Sequence, residues 1–213
     1  MTLHPNFAIG IPTLNRADLL IPALLYYQND FPNVDIYVID NGNQEALNVL
    51  KLKNVTIISQ PHNIGVASSW NILCNKIFKI KDFALILNDD IYLGKNEHEI
   101  LLLIENMQVA LYTSPVDWCT FLLPKTTYTT IGEFDEGFFP AYFEDNDYEY
   151  MISINGLQMA KIPFLMPSVF RRSQTIQLDP TIKEGFSKTR ERYIAKWGGE
   201  PTFETYKKSF NKN

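Results

Sequence analysis

Cysteine, histidine, basic charge and long apolar runs are all scarce in this 213-residue chain, and each scarcity excludes a class of protein. Two cysteines, Cys74 and Cys119, cannot form a disulfide scaffold, and the scattered His4, His62 and His98 leave no Cys/His zinc pattern. Any metal must be held mainly by oxygen. No run approaches the roughly 18 apolar residues of a membrane span. Met1 to Pro5 lacks the charged and then apolar plan of a signal peptide, so the expected location is cytoplasmic. Nineteen Lys and Arg against 24 Asp and Glu give a net charge of −5, the wrong sign for a protein that sits on nucleic acid or anionic membrane. Flexible linkers, internal repeats and low-complexity segments are missing as well, which predicts one shared core rather than separate units. The chain has 46% hydrophobic and 20% charged residues, a composition that folds. Aromatics are plentiful, with 14 Phe, 11 Tyr and 3 Trp. That is more than a core of this size requires, so some are expected to face a ligand.

From Phe7 to Asn88 short apolar runs alternate with amphipathic ones, the pattern of an α/β fold with a parallel sheet and crossover helices. Strands are expected at Phe7 to Ile11 (stopped by Pro12), Asp35 to Asp40, Val55 to Ser59 and Phe83 to Leu87. Helices are expected at Asp18 to Tyr27 and from about Val66 to Phe78. The second half is less regular. Helices are expected at Glu97 to Met107, Asp145 to Ile154 and about Ser187 to Trp197, the last closed by Gly198-Gly199, with a strand at Trp118 to Leu123. Every polar cluster of the first half follows a strand, and in an open parallel sheet those carboxyl ends are where ligands bind.

Three clusters carry chemistry. Asn88-Asp89-Asp90 ends a buried strand, where adjacent carboxylates repel and are costly to desolvate, so a cation should accompany them. Mg²⁺ or Mn²⁺, bridging carboxylate and substrate phosphate, meets that need, although the same acids also suit a turn. At the first loop, Pro12, Thr13, Leu14, Asn15 and Arg16 can hold a base and ribose. Asp40 after the next strand can accept the imide N–H of uracil, or simply form an Asx-turn. Asn63, Gly65, Ser69 and Asn71 mark a helix start whose free N–H groups suit a diphosphate, or a plain helix start with glycine for a tight turn. The third cluster, Ile131 to Tyr150, interleaves seven acids with seven aromatics and has no Lys or Arg. Aromatic faces beside carboxylates suit sugar C–H faces and hydroxyls, and Asp145, at a helix start beside Glu144, is placed to act as general base.

With these clusters in order, residues 6 to about 200 resemble the nucleotide-sugar glycosyltransferases of the GT-A fold, particularly the large inverting family 2. The stretch Arg192 to Gly199 looks like the end of many such domains. More closely, the sequence is similar to the small N-terminal glycosyltransferase domain encoded by chlorella viruses, enzymes that build capsid glycans. The resemblance implies a Rossmann-like, mixed and mostly parallel sheet flanked by helices. It implies one domain over 1–213, with a nucleotide-binding half to about 95 and an acceptor half beyond, in a chain that could be a fragment of a longer multidomain protein. It also implies a UDP-sugar donor, glucose- or rhamnose-like, a glycan acceptor, Mn²⁺ or Mg²⁺, and host cytoplasm as the location of a viral enzyme. By position, Pro12 to Arg16 with Asp40 would hold the uridine, joined by Asn63, Gly65, Ser69, Asn71, Asn88 and Asp89. Asp90, helped by Asp89, would bind metal. Glu144 and Asp145 would be catalytic, and Tyr142, Phe143 and Asp147 would meet the acceptor.

Two departures from the family stand out. Asn88 replaces the first acid of the Asp-x-Asp motif, and Val169 to Ser173 lacks the metal-binding His of many relatives. Arg171 or Arg172 could neutralise the diphosphate instead. Two rival readings remain: a non-catalytic nucleotide-sugar binding domain, and a nucleotidyltransferase of similar fold. The latter usually opens with a Gly-rich basic loop that Gly10-Ile11-Pro12-Thr13 does not provide.

Overall fold

The computed structural model describes residues 5–116, 118–170 and 180–211. Four strands build the first half: β1 (Phe7–Thr13), β2 (Ile36–Asp40), β3 (Val55–Ser59) and β4 (Phe83–Leu87). They are parallel, and β1 lies between β2 and β4. β2 is buried at all five positions, as an apolar strand covered on both faces must be. β1 runs through Pro12 instead of stopping there. Ile9 N–H bonds the Asp35 carbonyl on the β2 side, so by alternation Pro12 faces β4, whose pairing ends at the Gly10–Ile86 register. The missing proline N–H therefore costs no ladder bond.

The helices of this half are α1 (Ala17–Asp30), the short α2 (Glu45–Asn48) and α3 (Val66–Ile77). Beyond them come β5 (Ile91–Tyr92), α4 (Glu97–Glu105), β6 (Leu111–Thr113), β7 (Thr120–Pro124) and α5 (Lys125–Ile131). The chain continues through α6 (Glu144–Ile154), β8 (Met159–Lys161), β9 (Val169–Phe170) and α7 (Pro180–Trp197). α4 is opened by a capping box of Asn96 and Glu99, so the turn acids Asp89 and Asp90 are not its cap.

The main sheet has seven strands in the order β3-β2-β1-β4-β7-β6-β8, and β7 alone runs against the rest. It is thus mixed and mostly parallel, with helices on its faces, and strands from both sides of residue 95 share it. One core joins α1 to one face of the sheet through Leu20, Leu24 and Tyr27 with Ile9 and Val38. A second packs α3 and α6 on the other through Trp70, Leu73 and Tyr148 with Ile86 and Phe121. A third, smaller cluster of Phe138, Phe143, Tyr193 and Trp197 fastens α7 beside α6.

Candidate active site

The chain leaves β1 toward one side and β4 toward the other, so the strand order reverses between them and a crevice opens at their carboxyl ends. Pro12, Thr13 and Leu14 line one wall, Asn88, Asp89 and Asp90 the floor, and Tyr142 and Glu144 the opposite wall. Asn63 and Gly65 join them from the start of α3. The structure therefore gathers ten of the residues singled out in the sequence into one cleft.

The floor is tied down on both sides. Asn88 N–H donates to the Cys119 carbonyl at 2.9 Å, and Thr13 Oγ1 donates to Asp89 Oδ2 at 2.6 Å. Burial pushes the Asp89 carboxyl up to about 7, with the neighbouring Asp90 charge adding to the rise while Thr13 and Arg16 oppose it. Arg16 does not line the cleft. It is buried at the start of α1, and its Nε and Nη2 each donate to Asp18 at 2.9 Å. Its guanidinium still feels the charges of Asp89 and Asp90, so part of the cation those acids require is supplied by the chain itself.

Glu144 opens α6, and only 6% of it is exposed. Its Oε2 is buried without a hydrogen-bond partner, and burial with the Asp145 charge raises its pKa well above the ordinary carboxylate range. The wall on which it stands is held in an uncommon shape. Tyr142 and Phe143 take φ values of 79° and 69°, two successive aromatics in the left-handed region, a conformation that persists only where surrounding structure enforces it. Asp145 is half-buried beside Glu144 and does not line the cleft, and its Oδ1 accepts the Asn146 N–H at 2.8 Å.

Several residues singled out in the sequence do not line the cleft. Asp40 is wholly buried, and its carboxylate accepts from Gly42 N, Gln44 N and Gln44 Nε2, which makes it a turn-former outside the cleft lining. The neighbouring Asn41 lines the cleft in its place. Ser69 is buried between Asn41 Nδ2 and the Gly65 carbonyl. Asn71 binds both the N–H and the carbonyl of Phe134, so it fastens α3 to the loop beyond α5. Asn15 is exposed with its side chain over Gly42, outside the cleft lining. Phe143 packs in the third core cluster. Asp147 is 0% exposed and is held by Lys196 Nζ and Trp197 Nε1, so it meets no acceptor. Arg171 and Arg172 lie outside the described residues.

The acidic, aromatic window is therefore mostly scaffold. Asp135 pairs with Arg192 and Lys196, Glu133 with Asn75, Glu136 with Asn71, and Glu149 with Trp118 Nε1. Phe134 and Tyr148 stack in the core at 4.1 Å. The α3 N-terminus is partly engaged too, since Val66 N–H bonds the Pro140 carbonyl at 2.9 Å. Gly65, at φ 84°, leaves room for that contact: a Cβ there would lie 2.9 Å from the Phe139 ring and 3.0 Å from Pro140 O. Pro140, Ala141, Val66 and, from α7, Ile182 also line the cleft, and sequence reasoning did not select them.

No protein-family model matches the sequence, and no curated protein does. Solved structures match the fold. The mannosyltransferase PcManGT from Pyrobaculum calidifontis, in complex with GDP-Man and Mn²⁺, aligns with a TM-score of 0.60 at 14% identity, over 88% of this chain and 64% of that one. GalNAc-T7 with UDP, GalNAc and Mn²⁺ aligns with a TM-score of 0.61 at 14% identity, over 92% of this chain and 50% of that one. The fold is thus the GT-A fold of glycosyltransferases. The chain spans less than two thirds of the length of either neighbour.

Proposed function

We propose that this chain is a nucleotide-sugar-dependent glycosyltransferase that moves a hexosyl or deoxyhexosyl group, glucose- or rhamnose-like, from a UDP-sugar to a hydroxyl of a glycan. The observation that carries this reading is that one cleft, at the β1/β4 reversal of a GT-A sheet, is lined by the buried Asp89-Asp90 pair and by the buried Glu144. The viral or surface-glycan setting rests on the sequence resemblance alone.

The acidic floor fits Mn²⁺ or Mg²⁺. Such ions take one or two carboxylates, complete their shell with substrate phosphate and water, and need no protein cage. Among the described residues no group of three His, Cys, Asp or Glu could hold a metal alone, which agrees with a cation shared with a ligand diphosphate. Asp90 would be the principal ligand and Asp89, bonded to Thr13, the weaker one. The ion would stabilise the charge that develops on the departing diphosphate. Arg171 and Arg172 would add to that neutralisation. Pro12 to Leu14, Asn41 and Asn63 would orient the nucleoside. The acceptor oxygen attacks the anomeric carbon, the bond from that carbon to the phosphate oxygen breaks with its electron pair, and the hydroxyl proton passes to a carboxylate. Glu144 is favoured over Asp145 for that proton because it faces the cleft and burial makes it the stronger base.

Thermal shift with UDP, GDP, ADP, CDP and their sugars, each with Mn²⁺, Mg²⁺ or EDTA, tests donor and cation together. A UDP-sugar with Mn²⁺ at about 100 times its Kd should add about 2.7 kcal/mol, roughly 5–10 °C for a chain of this size. No shift with any nucleotide would end the reading, and an equal shift in EDTA would remove the metal. Because Asp40 is engaged in its turn, a larger shift with GDP would reassign the base. For the proton, Glu144→Gln should lower transfer at least ~10²-fold. A greater loss in Asp145→Asn would return the role to Asp145.

A further inference from the structure

We propose that Tyr142 and Phe186 form a platform for the apolar face of a pyranose ring of the acceptor, with a hydroxyl of that ring directed to Glu144. The inference rests on the glycosyltransferase reading and its glycan acceptor, and names the surface of the chain that would hold the acceptor ring.

Phe186 belongs to α7 and is 42% exposed, a large aromatic left in water beside Tyr142, which lines the cleft. Its ring meets Tyr142 edge to face at 5.1 Å and Phe143 at 5.3 Å. Phe143 is buried, so Tyr142 and Phe186 are the members of this trio that remain open to a ligand. Ile182, one turn earlier on the same face of α7, lines the cleft, which turns the Phe186 side of the helix toward it. Phe139, 45% exposed, adds a third aromatic surface three residues before Tyr142. Other exposed large apolar residues, such as Leu25 in α1 and Leu102 in α4, belong to other elements.

The second element is Glu144. Its Oε2 is buried and unpartnered, and the residue lines the cleft, so folding leaves a polar group there with an unmet hydrogen bond. A pyranose offers an apolar C–H face and a rim of hydroxyl donors at right angles to it. An open aromatic pair and one buried carboxyl, two residues beyond Tyr142, match both parts of that shape. Tyr142 and Phe143 hold their left-handed backbone directly before Glu144, and Tyr142 and Glu144 both line the cleft.

The test is saturation-transfer NMR on the full chain with Mg²⁺, UDP or GDP, and the methyl pyranosides of glucose, galactose, mannose, xylose and rhamnose. In the wild type, irradiation of aromatic protein resonances should saturate the ring C–H protons of at least one pyranoside. Phe186→Ser should weaken that binding about tenfold, the scale of one aromatic contact, while the nucleotide signal persists and reports a folded cleft. Phe186→Leu, which keeps apolar area without an aromatic face, should lose it as well. A panel that is silent while the nucleotide binds overturns the platform, as does undiminished saturation in either variant or loss of the nucleotide together with the sugar. A chain that binds no nucleotide brings down the transferase reading itself, whatever the pyranosides do.

Discussion

Folding alone would not retain a carboxyl group like that of Glu144, buried with one oxygen unbonded. Its raised pKa fixes the sign of the pH effect. Below about 4.5, the ordinary value, the group is protonated whether the chain is folded or not, and nothing is lost. As pH rises toward the folded pKa, the unfolded chain gains by ionising while the folded one cannot, so stability falls. Glu144→Gln should therefore stabilise the protein by about 0.5–2 kcal/mol at pH 8 and by much less at pH 5, read as urea midpoints at the two values. A variant less stable at pH 8 than the wild type would show that the carboxylate has a folding partner. Under the proposed function, with Glu144 taking the acceptor proton, the rate should show a rising pH limb displaced above that of an exposed carboxylate. The sequence made Asn88-Asp89-Asp90 legible because two acids that follow a buried apolar strand repel each other and require a cation nearby. It pointed to Asp145 as the base, whereas Glu144 is the one that lines the cleft, since adjacent helical positions differ by about 100° and the entry angle is set by the unusual backbone just before them. Asp40 was ambiguous for a different reason. Its decisive partner is Gln44, four residues on, whose side chain also accepts the Ala17 N–H.

At the scale of elements, α6 is held in place by α7. Lys196 bridges Asp135 and Asp147 at 2.8 Å to each, and Trp197 Nε1 adds a 2.7 Å bond to Asp147. Breaking a buried pair by removing one member leaves an uncompensated charge, typically at a cost of about 3–5 kcal/mol. Lys196→Met should show a loss of that size in urea denaturation, and the double variant Asp147→Leu/Lys196→Met should recover a substantial part of it. Additive losses would mean that the two side chains act independently. The partners of the acidic window explain why its role was hard to read. Asp135 and Asp147 find their cations 49 to 61 positions away, so a local count of charge saw seven free acids where the fold neutralises several. Long elements with a clear period were legible, and Val55–Ser59 and Phe83–Leu87 occur with the bounds the sequence predicts. β5, β6, β8 and β9 have two or three residues each, too few to show a period, and exist because neighbours pair with them. α7 starts at Pro180, seven residues before the expected Ser187. A proline at the first helical position was the available signal, and missing it hid Ile182 and Phe186.

For the whole molecule, β4 pairs with β1 on one side and β7 on the other, so the two halves of the chain meet inside a single sheet. Neither half can lose its strands without exposing the edge of the other. Urea unfolding followed by far-UV circular dichroism and by the fluorescence of Trp70, Trp118 and Trp197 should then give coincident transitions. Two separated midpoints would show that the halves on either side of residue 95 fold independently. The parallel half was legible from its alternation of apolar runs, whereas the reversal at β7 has no local signature and depends on which strand edge was left open. The segment from Phe139 to Tyr142 depends on this arrangement as well. Its Pro140 lies against Gly65 at the head of α3 and against Gly185 in α7, where an added Cβ would come within 3.0 Å and 2.6 Å of it. Two helices from different halves of the chain thus meet at a proline through positions without side chains. At both glycines the constraint is on volume rather than chemistry, so sequence drift in this lineage is free to change the charge or polarity around the cleft but has almost no latitude in size at these two points.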